Sequence, residues 1–248
     1  MRLSIEFTSI DERELITLPL HYNRLLQGLI YHFIKEEMPE IHDGGFNVGN
    51  RKLKLFVFSR IFGQVLGIKN GQITFGSSIK FKVSSPLPLF IETLGNNLLK
   101  TKIFHLGKTQ VKLDSLYIEP VPDFVSCGIS VKAISPLTLY STFNTPDGKK
   151  KTYYYHPRKK EFGEQIKNNL LRKANQLGIE VDNNVPFVFQ PLVVKNKDLK
   201  VLYYKNTVIK GWYGLYRMEG DPRLMTIAYS AGVGLKNAQG FGMIEKVL

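Results

Sequence analysis

Three features in the first 60 residues could do chemistry together: a tyrosine, a histidine and a cluster of cations. Tyr31 lies where apolar residues recur at helical steps, and on a helical wheel it falls almost opposite Leu29 and Phe33, beside Arg24, Gln27 and Lys35. Packing of its own helix does not account for a tyrosine there, although a neighbouring loop could cover it. His42 follows in the glycine-rich stretch Ile41-His42-Asp43-Gly44-Gly45-Phe46, where a histidine is either solvated or a proton-transfer group. Arg51-Lys52-Leu53-Lys54 then opens a strand, and alternation puts Lys52 and Lys54 on one face. An RNA phosphodiester can be cut without a metal when its own 2′-hydroxyl attacks the neighbouring phosphorus. That step needs a base for the 2′-hydroxyl, an acid for the departing 5′-oxygen and a cation for the phosphate charge. Histidine, tyrosine and lysine meet those needs. The other histidines, His21, His32, His105 and His156, have neither motif nor metal-type spacing, and no acidic cluster accompanies them, so no metal is expected.

A second region suits binding. Ser230 to Ile244 carries Gly232, Gly234, Gly240 and Gly242 around a polar run with Lys236, Asn237 and Gln239. Glycines admit positive φ, successive N–H groups can form a concave anion site, and Lys236 adds a full charge. A tight hairpin connection would look similar. No Lys-Ser/Thr pair follows the last glycine, which excludes a Walker loop, and a strand follows it rather than a long helix, which excludes a dinucleotide fingerprint. Gly148 to Lys160 interleaves lysines with Tyr153, Tyr154 and Tyr155. This pattern fits phosphate contact and base stacking as well as it fits a charged hairpin with a tyrosine ladder.

The bulk numbers agree with a polyanionic partner. The chain has 248 residues, net charge +13 and a pI near 9.6. Its single cysteine, Cys127, excludes an internal disulfide and a cysteine-rich zinc site. Met1 to Phe7 reads as a strand rather than a secretory leader, and no apolar run reaches membrane-spanning length. A cytoplasmic chain without a membrane partner is expected.

The elements that must position these groups read in a repeated order. Strand signals at Arg2–Thr8, Arg51–Arg60, Gln72–Phe75, Ile79–Val83 and Thr109–Ile118 surround helices at His21–Glu37 and Pro86–Lys100. After Glu119-Pro-Val-Pro-Asp123 the order restarts: a strand at Val125–Ala133, a helix at Phe162–Leu177, strands at Val185–Val194, Val201–Tyr204 and Val208–Arg217, a helix at Asp221–Ser230 and a closing strand. Thr142 to Arg158 has no clear assignment. The expected fold is α+β, with tandem ferredoxin-like (βαββαβ) domains at residues 1–118 and 124–248.

Gly-Val-Gly, five residues, then Gly-Phe-Gly and a final strand resembles the C-terminal signature of the repeat-associated RNA-processing proteins of CRISPR systems, the RAMP superfamily. Within it the chain looks most like the endoribonuclease that cuts the repeat transcript. Leu26-Gln27-Gly28-Leu29-Ile30-Tyr31 and Lys54-Leu55-Phe56-Val57-Phe58-Ser59 also match. The resemblance covers nearly the whole chain and implies the tandem fold. It implies Tyr31, His42 and Lys54 as catalytic residues, Lys54 rather than Lys52 matching the Lys-Leu-Phe motif. It further implies an RNA interface including Lys52, Gly232, Gly234, Lys236, Asn237, Gln239, Gly240 and Gly242. The implied activity is metal-independent cleavage within each repeat, leaving 2′,3′-cyclic phosphate and 5′-hydroxyl ends, with no cofactor. Its partners would be precursor and guide RNA and subunits of an interference complex, the protein itself being a monomer or homodimer. The alternative in the same superfamily is a non-catalytic RNA-binding subunit. A basic protein of the translation apparatus would fit the charge but not the Gly-Phe-Gly terminus.

Overall fold

The computed structural model describes residues 1–11, 14–39, 46–48, 51–124, 128–204 and 207–247, with the course of the backbone alone for 46–48 and 51–53. One antiparallel sheet holds β1 (Arg2–Ser9), β2 (Val57–Phe58), β3 (Ser78–Ser84), β4 (Phe104–Leu106) and β5 (Thr109–Glu119), in the order β2-β3-β1-β5-β4. A second holds β6 (Ile129–Ala133), β7 (Phe187–Val193), β8 (Leu215–Gly220) and β9 (Ile244–Lys246), in the order β7-β8-β6-β9. Helices α1 (Asn23–Ile34) and α2 (Pro88–Lys100) come after β1 and β3, and α3 (Lys160–Gln176) and α4 (Pro222–Ala231) after β6 and β8. With β4 set aside, the two halves share one chain order and one spatial order.

Local rules explain these elements. Leu26, Leu29, Ile30 and Ile34 make the buried stripe of α1. Each full side-chain burial of this kind is worth about 1.5–3 kcal/mol. The second helix starts with Pro88 in its first turn, where a missing N–H costs nothing. Asp221 caps α4 by accepting from the Arg223 N–H at 2.9 Å, with Pro222 next to it.

On β1, Leu3, Ile5 and Phe7 face the first core as alternation requires, yet Arg2 and Ser4 on the other face are also buried. The second half covers them. The Arg2 guanidinium donates to the Tyr229 hydroxyl at 3.0 Å and to the carbonyls of Tyr229 at 3.1 Å and Ile244 at 2.9 Å. Lys82 on β3 pairs with Glu119 of its own sheet at 2.9 Å and with Glu245 of the other at 2.5 Å. The halves are therefore bonded to each other through the buried Arg2 guanidinium, which the first half could not satisfy alone, and through the partly exposed Lys82–Glu245 pair.

Three segments differ from the sequence pattern. Arg51–Arg60 is not one strand: Arg51–Leu53 pairs with Phe46–Val48, while Val57–Phe58 joins the first sheet. Val208–Arg217 is likewise broken. Thr207–Trp212 forms a hairpin with Leu199–Tyr204, and β8 begins beyond Gly214, whose φ of +145° turns the chain out of one sheet into another. The unassigned 142–158 stretch contains most of a hairpin, Tyr140–Asn144 with Lys150–Tyr154. Among the described residues no helix is long and apolar enough to cross a membrane.

Candidate functional site

A cleft of about 920 Å³ opens between the halves. Its N-terminal wall is α1, through Arg24, Gln27, Gly28 and Tyr31, with Lys54 and Leu55 beside it. The C-terminal side presents Asn169 and Lys173 of α3 and the loop from Gly234 to Gln239. Tyr140 and Thr142 of one hairpin, and Tyr204 and Thr207 of the other, complete the lining. Arg24, Lys54, Lys173 and Lys236 make four cations in that lining, and no carboxylate is among its described residues.

Tyr31 is half-buried, its ring edge-on to Phe56 at 5.6 Å between centroids. The Lys54 ammonium stands over the same ring, Nζ 4.5 Å from the centroid. Burial above all, with Tyr204 nearby, raises the Tyr31 phenol pKa far above its ordinary value, against a hydrogen bond with Gln27 that lowers it. The hydroxyl therefore keeps its proton at neutral pH and is a donor. The structure thus brings Tyr31 and Lys54 together. His42 lies outside the described residues, as does the side chain of Lys52.

The glycine loop is built from within. The N–H groups of Val233, Leu235, Gln239, Gly240 and Gly242 all bond to backbone carbonyls of the protein. Asn237 is buried at the loop's centre, its amide donating to Val233 O at 3.2 Å and Phe241 O at 2.9 Å. Its Oδ1 accepts from Lys173 Nζ at 2.8 Å. Lys173 also donates to Gly232 O at 2.6 Å and to Ala231 O at 3.2 Å, at the C-terminal end of α4, where a cation offsets the helix dipole. In its ammonium form Lys173 has a hydrogen for each of these three oxygens. Complete burial works against that charge and pushes the Lys173 pKa down to about 7.

Of the sequence candidates, Gly234, Lys236, Asn237 and Gln239 line the cleft, while Gly232, Gly240 and Gly242 lie against the protein interior. A Cβ on Gly242 would sit 2.0 Å from Val233 O, and one on Gly240 would sit 2.5 Å from the Phe58 ring. Lys236 has φ +59°, and its Nζ reaches 5.5 Å from the Tyr140 ring centroid.

Several residues order the site through bonds that the sequence does not show. Asn23 donates to Gln239 O at 2.7 Å and accepts from Arg60, whose guanidinium lies 3.9 Å from the Tyr22 ring centroid. Gln27 donates to Ala238 O and accepts from the Tyr204 hydroxyl. These bonds tie α1 to the glycine loop and so fix the width of the cleft. Lys173 falls on the stripe of Phe162, Ile166 and Leu170 by helical spacing, which marks it off from Lys160 and Lys167 but does not show what it bonds.

Comparison with known proteins decides the family. The family described as CRISPR associated protein Cas6, C-terminal, matches residues 118–246, just over half of the chain. The chain belongs to the Cas6 family. The resemblance carried by Gly-Val-Gly and Gly-Phe-Gly is borne out. Over its whole length the chain is 29% identical to a CRISPR-associated endoribonuclease Cas6 1 of Methanocaldococcus jannaschii, covering 93% of that protein. It is 26% identical to the CRISPR-associated endoribonuclease Cas6 of Pyrococcus furiosus, over 99% of this chain and 89% of the relative. A solved structure described as CRISPR associated protein Cas6 superposes with a TM-score of 0.81 at 25% identity, over 100% of this chain and 99% of the other. The α+β architecture with antiparallel sheets is the Cas6 architecture.

Proposed function

We propose that this Cas6 protein is an endoribonuclease that binds CRISPR repeat RNA and cuts the precursor once in each repeat. It is built as two ferredoxin-like units, residues 1–118 and 124–248, a division supported by the common strand order of its two halves. The observation that carries the reading is the Tyr31–Lys54 pair in a cleft with four cations and no described carboxylate. Such a lining attracts an RNA backbone and repels the carboxylate-held ions of two-metal nucleases.

Cleavage proceeds by the 2′-hydroxyl. Its oxygen bonds to the adjacent phosphorus as the bond from phosphorus to the 5′-oxygen breaks. The 2′-proton passes to a base and a proton passes to the leaving oxygen, giving a 2′,3′-cyclic phosphate and a 5′-hydroxyl. His42 is the proton-transfer group, the protonated Tyr31 hydroxyl orients the reacting phosphate, and Lys54 neutralises the charge that builds on its oxygens. Lys52, Lys236, Gln239 and the main chain at Gly234 hold the RNA. Asn237 and the glycines Gly232, Gly240 and Gly242 keep the loop in shape. A purely RNA-binding subunit would share the cleft but would have no use for the Tyr31–Lys54 pair.

The test is incubation of the protein with synthetic repeat RNAs in excess EDTA, with the product ends analysed. Discrete cutting is expected, abolished by a single 2′-deoxy substitution upstream of the cut that spares binding. Activity lost in chelator and restored by magnesium, or cutting at the deoxy position, would remove the mechanism. Tight binding with no cutting of any repeat would select the non-catalytic subunit.

A further inference from the structure

The hairpin Tyr140–Asn144/Lys150–Tyr154 has two unlike faces. Side chains alternate along a strand, and directly opposed residues share a face. Tyr140 and Thr142 line the cleft, which places their cross-strand partners Tyr154 and Thr152 on the cleft side as well. There the Tyr154 hydroxyl donates to Val208 O at 2.8 Å and is used up in joining the two hairpins. The opposite face carries Phe143, Lys151 and Tyr153, with Phe143 directly across from Lys151. Phe143 is 49% exposed and Tyr153 47% exposed. Among the described residues the hairpin pairs with no third strand. The base of this face is anchored all the same. Tyr155, packed on the C-terminal core, holds Tyr153 edge-on at 5.1 Å and shares a 2.8 Å hydrogen bond with Ser141.

A single exposed ring needs no explanation on any surface. Two rings and a lysine on one anchored face, back to back with a cationic cleft, form a patterned surface. We propose that this outer face stacks unpaired bases of the RNA strand where it leaves the cleft, with Lys151 meeting the phosphate between them. The inference rests on the cleft holding RNA. Stacking on aromatic rings accepts any base, so the face would add affinity for flanking nucleotides without reading their sequence. Charge selects this occupant: Lys151 on this face is preceded by Lys149 and Lys150, and among the described residues the one ion pair formed by any of the three is that of Lys149 with Asp147 at 3.1 Å. A protein partner fits poorly, because two half-covered rings fall well short of the roughly 800 Å² per side of a stable interface.

The experiment compares a core repeat RNA with versions extended by three to six nucleotides at either end, bound in EDTA at fixed salt. Wild type is expected to bind one extended RNA about tenfold more tightly than the core, with no gain when the extension is abasic. Phe143→Leu/Tyr153→Leu keeps apolar cross-strand packing but removes the flat rings. It should bind the core RNA as wild type does, lose most of the gain and cut at an unchanged rate when saturating. Quenching of a 2-aminopurine in the extension, measured on wild type alone, reports stacking even if that variant folds poorly. An equal gain from abasic extensions, a gain kept by the double variant with no quenching, or self-association lost in the variant without any effect on RNA would each overturn the proposal. Wild type binding core and extended RNA equally would sink the outer face and leave the cleft reading standing. Binding to neither would sink both.

Discussion

The two sides of the cleft are built on opposite principles. On the C-terminal side, Asn237, Lys173 and the N–H groups of the glycine loop spend their hydrogen bonds on the protein's own oxygens. On the N-terminal side, the Lys54 ammonium stands over the Tyr31 ring at the cleft, and Gly28 leaves the helix surface open, with no described atom outside its own helix backbone within 4 Å of where its Cβ would be. One side is shape and the other is chemistry. The contrast predicts that substitutions in the loop damage the fold, and that substitutions on the opposite wall damage the reaction in a protein that stays folded.

The largest effect should come from Gly242→Ala. Its φ is +85° and the new Cβ would lie 2.0 Å from a backbone oxygen, which cannot swing aside. A loss of about 3 kcal/mol or more is expected in urea unfolding, from left-handed strain together with overpacking. A variant as stable as wild type would mean that the loop is not the rigid side.

Across the cleft, Lys54→Ala should slow single-turnover cleavage about a hundredfold, the scale of a lost oxyanion partner, while melting as wild type does, and His42→Ala should do the same if His42 is the proton-transfer group proposed. Cleavage within a few-fold of wild type for either would move the chemistry elsewhere. Lys236→Ala tests the cationic tip of the loop. It should weaken repeat RNA binding several-fold and lower the slope of log affinity against log salt by about one.

Lys173 gives the comparison a pH dependence. Burial holds its folded pKa down at about 7, below the ordinary lysine value of 10.5 that an unfolded chain would show. Between those values the unfolded chain binds the extra proton, so this group's contribution to stability is complete above the unfolded pKa and is lost as pH falls through the folded one. Wild type should therefore gain on Lys173→Met as pH rises from 7 towards 10, by at most about 1.4 kcal/mol per pH unit. Parallel stability curves for the two proteins would show that the ammonium is not titrating. The smallest effect is Gly28→Ala, expected to stabilise α1 by about 0.5–1 kcal/mol because the site is open and mid-helix. Destabilisation there would mean that the N-terminal wall is packed more tightly than its surface indicates.

What could be read directly from the chain was whatever depends on short spacing. Alternation placed β1, the three- and four-residue steps placed α1, and Asp221-Pro222 placed the start of α4, because each is fixed by neighbours along the backbone. The glycine spacing and Phe241 pointed to the family. Tyr31 and Lys54 were legible as candidates, and their meeting at a ring face depends on a strand irregularity between Leu53 and Val57 that alternation could not foresee. Only the tertiary structure decided which polar residues are solvated and which are structural. Arg2 lies on the face of β1 opposite Leu3, Ile5 and Phe7 and is wholly buried between the halves; Lys173 lies on the apolar stripe of α3 and holds the loop together. The reason is physical: the groups that bond these cations come from segments more than 50 residues away for Lys173 and more than 220 away for Arg2, and no local pattern names those partners.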